Sequence, residues 1–156
     1  IHDELKDWHL IIVGNTNTVY GANCVSLVQR LGITEKVIFT GKVSSVKPYL
    51  DKAELFILPS RGSGEGGPIA ILEAMAASKN IIASKVPGNK DILSSFPEHL
   101  FNPDSVKDLT EKLYQYLSLS VDQNIEQGKD FLTYVKKNYD IYNEVNNIQK
   151  FYQTII

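Results

Sequence analysis

Two carboxylates, Glu65 and Glu73, stand eight positions apart in the stretch S-R-G-S-G-E-G-G-P-I-A-I-L-E-A-M-A, Ser60 to Ala76. Gly62, Gly64, Gly66 and Gly67 surround the first of them, and glycine admits left-handed backbone and close approach of another molecule. Pro68 fits the first turn of a helix, where a missing N–H costs nothing. Glu65 then falls just ahead of the helix and Glu73 about five residues inside it. At roughly 1.5 Å per residue the two are about 7 to 8 Å apart, the length of a diphosphate with its flanking bonds. Amides of Gly66, Gly67 and Ile69 at the helix start favour an anion, phosphate above all. A carboxylate beside phosphates is repelled unless it reaches past them, so the glutamates are suited to accept hydrogen bonds from hydroxyls. Hydroxyls on either side of a diphosphate describe a nucleotide sugar. Spacing alone does not separate this from a solvated loop charge at Glu65 and an exposed or capping Glu73.

The elements that must position these residues are short apolar runs alternating with helices. Glu54 to Leu58 (E-L-F-I-L) reads as a buried strand ended by Pro59. Upstream, Trp8 to Val13 is a nearly continuous apolar run ending at Gly14, the pattern of a strand covered on both faces. Asn15 to Gly21 reads as a polar turn, and from Asn23 the residues Cys24, Leu27, Val28 and Leu31 recur at helical spacing up to Gly32. Val37 to Thr40 is the next strand, closed by Gly41, and Val46, Tyr49 and Leu50 mark a short helix. Downstream, Ile81 to Ser84 reads as a fourth strand, Pro87-Gly88-Asn89 as a turn, Lys90 to Ser95 as a brief helix and His99 to Phe101 as a weak fifth strand. Ser105 caps a helix with Asp108 three residues on, and Leu109, Leu113, Tyr116 and Leu117 form its apolar face. Ile125 to Asn138 and Tyr142 to Ile155 are helical, the last with a stripe of Val145, Ile148, Phe151 or Tyr152, and Ile155.

This alternation implies an α/β fold, a Rossmann-like parallel sheet with helices on both faces. Ligands of such sheets bind beyond the carboxyl ends of the strands, where the loops after Val13, Thr40, Leu58 and Ser84 should gather. The 156 residues fit a single domain, 1–156, with 120–156 as C-terminal helices. A net charge of −2 argues against a nucleic-acid partner. One cysteine, Cys24, permits no intramolecular disulfide and no cysteine metal cluster, and a reducing, cytoplasmic compartment is the simpler reading. No apolar run reaches the roughly 18 to 20 residues of a membrane span. The chain begins at Ile1 without Met, within what reads as a helix leading into a strand, and is expected to be a piece of a longer protein. Of the remaining polar residues, His2, His9 and His99 are scattered, Cys24 falls on an apolar helix face, and Arg61 and Lys85 border the cleft as phosphate helpers or solvated charges.

The central stretch resembles the E-x7-E signature of retaining glycosyltransferases of GT-B fold, whose pattern is P-S-x-x-E-G-x-(G/P)-x-x-x-x-E-A-M-A. Pro59-Ser60, Glu65-Gly66-Gly67-Pro68 and Glu73-Ala74-Met75-Ala76 match, apart from a glycine-rich insertion of about two residues at Gly62 to Gly64. The likeness continues in Arg30 to Val43 (R-L-G-I-T-E-K-V-I-F-T-G-K-V), Ile81 to Leu93 and Phe101 to Leu109. Two departures stand out: Pro87-Gly88 replaces a Gly-Gly, and Asp91 stands where Glu is usual.

The resemblance implies the C-terminal half of a GT-B fold, first strand missing, that binds a nucleoside-diphosphate sugar. It implies that Glu65 is the catalytic residue beside the donor sugar and that Glu73 holds the ribose hydroxyls. Gly66, Gly67, Pro68 and Ile69 would line the diphosphate, though Pro68 cannot donate, and the backbone of Gly41, Lys42 and Val43 would contact the base. No metal and no cofactor are implied. The partners implied are the missing N-terminal acceptor domain and a glycan or lipid-linked acceptor, with peripheral membrane association of the full-length protein left open. The full-length protein would move a hexose, and the piece alone would be inactive. The alternatives are a non-catalytic nucleotide- or phosphate-binding module, or a related GT-B phosphorylase or epimerase.

Overall fold

The structure is a computed structural model that describes residues 8–62 and 66–155. His2 and Glu65 lie outside the described residues, as do Ser63 and Gly64. The chain forms two compact units, Ile1–Tyr49 and Leu50–Ile156. Among the described residues no helix is long and apolar enough to cross a membrane.

In the first unit β1 (Leu10–Val13) and β2 (Val37–Gly41) pair in parallel, Leu10 opposite Val37 and Ile12 opposite Phe39, with a shift that sets Val13 opposite Gly41. Parallel strands need a long crossover, here α1 (Val19–Arg30). That helix begins at Val19 and not at Asn23, because the Thr18 hydroxyl accepts the Gly21 N–H and caps it inside the expected polar turn. Gly21 is needed there. A β-carbon would come within 2.6 Å of the Thr16 backbone, which folds back over the first turn. At the other end Gly32, at φ +67°, stops the helix as its position indicates.

Among the described residues nothing covers β1 on both faces. Leu10, Ile11 and Val13 are 49%, 36% and 37% exposed, and among the described residues the strand has β2 as its one ladder neighbour. A continuous apolar run fits a half-covered strand as well as a covered one. His9 precedes the strand and is exposed.

α2 (Lys47–Lys52) straddles the boundary between the units. The second unit holds the parallel sheet β3-β4-β5, made of β3 (Leu55–Leu58), β4 (Asn80–Ser84) and β5 (Leu100–Phe101). β4 is central and all five of its residues are buried. The helices are α3 (Ile69–Ala76), α4 (Pro87–Ile92), α5 (Val106–Leu117), α6 (Val121–Asn138) and α7 (Ile141–Ile155).

Further boundaries differ from expectation in this unit. Pro87-Gly88-Asn89 is not a turn: it is the first half of α4, because the fixed φ of Pro87 already suits a first helical residue. His99 closes a 3-10 turn, Pro97–His99, and leaves β5 only two residues. α6 starts at Val121 because Ser120 and Gln123 form a reciprocal capping box. α5 has the expected cap, Ser105 Oγ accepting the Asp108 N–H at 3.1 Å.

The core of this unit lies where α3 packs on β4 and α6. Ile71, Ala74 and Met75 of α3 are fully buried, as are Ile81 and Ala83 of β4 and Phe131 of α6. Each large apolar side chain buried this way contributes about 1.5 to 3 kcal/mol. The Phe131 ring lies 4.7 Å from that of Phe96, tilted, and 4.9 Å from that of His99, edge to face. α7 carries its expected apolar stripe, Val145, Ile148, Phe151, Tyr152 and Ile155, open to solvent.

Candidate functional site

The site begins where the β3–β4 ladder ends, at Leu58 opposite Ala83. The next residue of β3's strand direction is Pro59, which has no N–H to extend the ladder. A side chain takes over. Ser84 Oγ donates to the Ser60 carbonyl at 2.7 Å, with the Leu58 carbonyl more distant at 3.4 Å. Arg61 Nε then pairs with Asp104 Oδ1 at 2.6 Å, tying the loop to the turn after β5, where Asp104 takes φ +63°. Both side chains are about two-thirds exposed, so the pair contributes no more than about 0.2 to 1 kcal/mol. Gly62 follows at φ +75°, a conformation that favours glycine.

Gly66 and Gly67 are exposed, and a β-carbon added to either would meet nothing within 4 Å. Pro68 is buried and does not enter the helix. It is the N-cap residue, at φ −72° and ψ 95°, and offers no side-chain cap. The first amides of a helix have no carbonyl four residues back. Ile71 N–H finds the Pro68 carbonyl at 3.0 Å, and among the described residues no side chain caps the amides of Ile69 and Ala70. No acidic residue lies in the first turn to oppose an incoming anion.

Glu73 is the fifth residue of α3, as the spacing indicates. Buried Ile71, Ala74 and Met75 define the inner face, which leaves Ile69, Glu73 and Ala76 as an exposed outer stripe that starts at the open helix end. Among the described residues the Glu73 carboxylate has no hydrogen-bond or ion-pair partner. The structure thus brings Gly66, Gly67, Pro68, Ile69 and Glu73 together on one loop and helix, and Glu65 lies outside the described residues.

Gly41, Lys42 and Val43 belong to the first unit. Gly41 ends β2 at φ +69°, and its carbonyl accepts the Gly14 N–H at 3.2 Å and the Thr40 hydroxyl at 2.9 Å. The loops after β1 and β2 therefore meet at these two glycines. Lys42 is exposed and Val43 half-buried.

Two further residues under the loop were not marked by sequence spacing. Asn89, fully buried in α4, donates from Nδ2 to the Ser84 carbonyl at 2.8 Å and to Ser84 Oγ at 3.3 Å. Its Oδ1 is buried without a partner. The one sequence signal for this arrangement is a proline at the strand end, which leaves a rung that backbone cannot fill.

The remaining candidates have other positions. His99 is buried, with Nδ1 at 2.8 Å from the Ile81 carbonyl and Nε2 at 3.5 Å from Glu98. Burial lowers its pKa, outweighing the Ile81 hydrogen bond and the charge of Glu98. That describes a core histidine. Cys24 is half-buried on α1. Among the described residues no three His, Cys, Asp or Glu side chains are grouped to hold a metal.

Comparison with known proteins matches residues 1–118 to the family model described as Glycosyl transferases group 1. A putative teichuronic acid biosynthesis glycosyltransferase of Bacillus subtilis, TuaC, is 29% identical over 120 residues, 76% of this chain and 30% of TuaC. Anabaena HepE, solved in complex with UDP and glucose, superposes with a TM-score of 0.81 at 18% identity, covering 97% of this chain and 43% of HepE. The C-terminal domain of the group 1 glycosyl transferase LpcC from Francisella tularensis superposes with a TM-score of 0.75 at 20% identity, covering 90% of this chain and 74% of that one. The chain spans less than half the length of each curated relative it matches.

Proposed function

The chain belongs to the group 1 glycosyl transferases, and from that premise we propose that it is the donor-binding half of a retaining enzyme that transfers a hexose from a nucleoside-diphosphate sugar to a glycan or lipid-linked acceptor. The observation that carries the proposal is the start of α3: two open glycines, a helix end that no described side chain caps, and an exposed Glu73 one turn inside that pairs with none of the described residues. UDP and glucose, with which HepE was solved, are of the chemistry this arrangement suits.

In this reading the amides of Gly66, Gly67 and Ile69 receive the diphosphate. As the bond between the sugar's anomeric carbon and the phosphate oxygen breaks, negative charge grows on the leaving nucleoside diphosphate. Amides fixed in place at a helix start stabilise that charge without reorganising. Glu73 accepts hydrogen bonds from the ribose hydroxyls. Glu65 accepts from the sugar and offsets positive charge at the anomeric centre, while the backbone at Gly41, Lys42 and Val43 meets the base. Helix and amides supply the electrostatics in place of a metal.

The test uses the full-length protein, titrated with UDP, GDP and ADP sugars beside Glu73→Ala and Glu65→Ala. Glu73→Ala is expected to weaken nucleotide binding about tenfold or more, the loss of a charge-assisted hydrogen bond. Glu65→Ala is expected to keep binding and lose turnover. Unchanged affinity in the first variant removes Glu73 from the ribose, and full activity in the second ends the catalytic assignment.

A further inference from the structure

We infer that Ser84 and Asn89 are positioning residues for the donor site, a relay that holds the entry of the glycine loop at the end of β4. The inference rests on the donor-binding reading of that loop. Both side chains are polar and fully buried, at the end of a strand whose middle residues Ile81, Ile82 and Ala83 are apolar and in a helix that also buries Ile92. Such groups are costly to bury unless hydrogen bonded.

The bonds they make share one direction. The Ser84 hydroxyl has a single proton, and the Ser60 carbonyl at 2.7 Å holds it in preference to that of Leu58 at 3.4 Å. Asn89 Nδ2 lies 3.3 Å from the same oxygen and engages its lone pair, which leaves the proton to point at Ser60. The orientation of the Asn89 amide is set by the Ser84 carbonyl, 2.8 Å away, since a flipped amide would place its oxygen against that carbonyl. Stability alone does not call for asparagine here, because its Oδ1 is left without a partner. What Asn89 supplies is the donor that orients Ser84. Ser60 lies five residues ahead of Glu65, and buried Pro68 fixes the far end of the loop. The relay therefore sets where the loop that carries Gly66 and Gly67 leaves the sheet.

The test is the full-length protein with Ser84→Ala, Asn89→Ala and the double variant, read by hydrogen–deuterium exchange and by donor kinetics. Each single variant is expected to speed exchange across residues 60–67 about fivefold, the loss of one net hydrogen bond, with α6 exchanging as in the parent. The donor KM is expected to rise by a similar factor. The double variant should resemble Ser84→Ala, since Asn89 acts through that hydroxyl. Unchanged loop exchange, additive effects, or faster exchange spread evenly over the unit would overturn the inference. If the parent binds no nucleotide sugar, the functional reading fails, while the exchange and additivity results still decide whether the relay positions the loop.

Discussion

The carbonyl oxygen of Ser78, just past the end of α3, occupies the place that a β-carbon on Gly128 of α6 would need. The obstacle is backbone and cannot rotate aside, so the two helices approach closely at this point only through the missing side chain. Alanine normally gains about 1 kcal/mol over glycine inside a helix. Here Gly128→Ala is expected to destabilise the protein by about 1 to 3 kcal/mol through overpacking, seen as a lower Tm in thermal unfolding. An unchanged or higher Tm would mean that α6 does not bear on Ser78.

Ser78 itself takes φ +55°, and its N–H bonds the Met75 carbonyl at 2.9 Å while Lys79 N–H reaches Ala74 at 3.0 Å. This is a left-handed helix stop of the kind glycine usually fills. Ser78→Gly relieves the β-carbon strain and should stabilise by up to about 1 kcal/mol. Urea unfolding would show it as a raised midpoint with an unchanged slope, and a lowered midpoint would refute it.

His99 makes stability depend on pH. Burial lowers its folded pKa below the unfolded value of about 6.5. Between the two values the unfolded chain binds more protons, so stability rises with pH across that window. The contribution is whole above about pH 6.5 and is lost as pH falls toward the folded value. Stability at pH 5.5 should thus be lower than at pH 7.5, and His99→Gln should flatten that part of the curve. An equal slope in the variant would assign the effect to other groups.

Gly67 offers a substitution felt by a ligand but not by the chain. It has no left-handed φ, and a methyl there meets nothing within 4 Å. Gly67→Ala is expected to leave the unfolding free energy within about 0.5 kcal/mol of the parent. If the loop receives a diphosphate, the same methyl should weaken UDP, GDP or ADP binding by about tenfold, as one amide contact is lost. Unchanged affinity would place the diphosphate elsewhere.

The strands around the site were legible because short apolar runs bounded by Gly or Pro leave few alternatives, and Glu73 falls on α3 where its spacing puts it. What was not legible depended on contacts between distant residues or on caps concealed among polar residues. Pro87-Gly88-Asn89 has the composition of a turn, yet Pro87 opens a helix and buries Asn89 against Ser84. Thr18 begins α1 from within a polar run that has no apolar period to announce it. The bond from Ser84 to Ser60 joins residues 24 apart, and no local pattern encodes it.

α6 also decides how little of the chain can fold. Phe131 and Gly128 fill the side of α3 that holds Ile71, Ala74 and Met75 away from water, and the Asn124 carbonyl accepts Asn80 Nδ2 at the start of β4. A polypeptide ended after α5 would still possess every described strand and the sequence of the glycine loop, yet its central helix would be left bare along its apolar side. A piece of the second unit that keeps the apolar side of α3 covered therefore extends through Asn138, although none of the candidate donor-binding residues lies beyond Glu73.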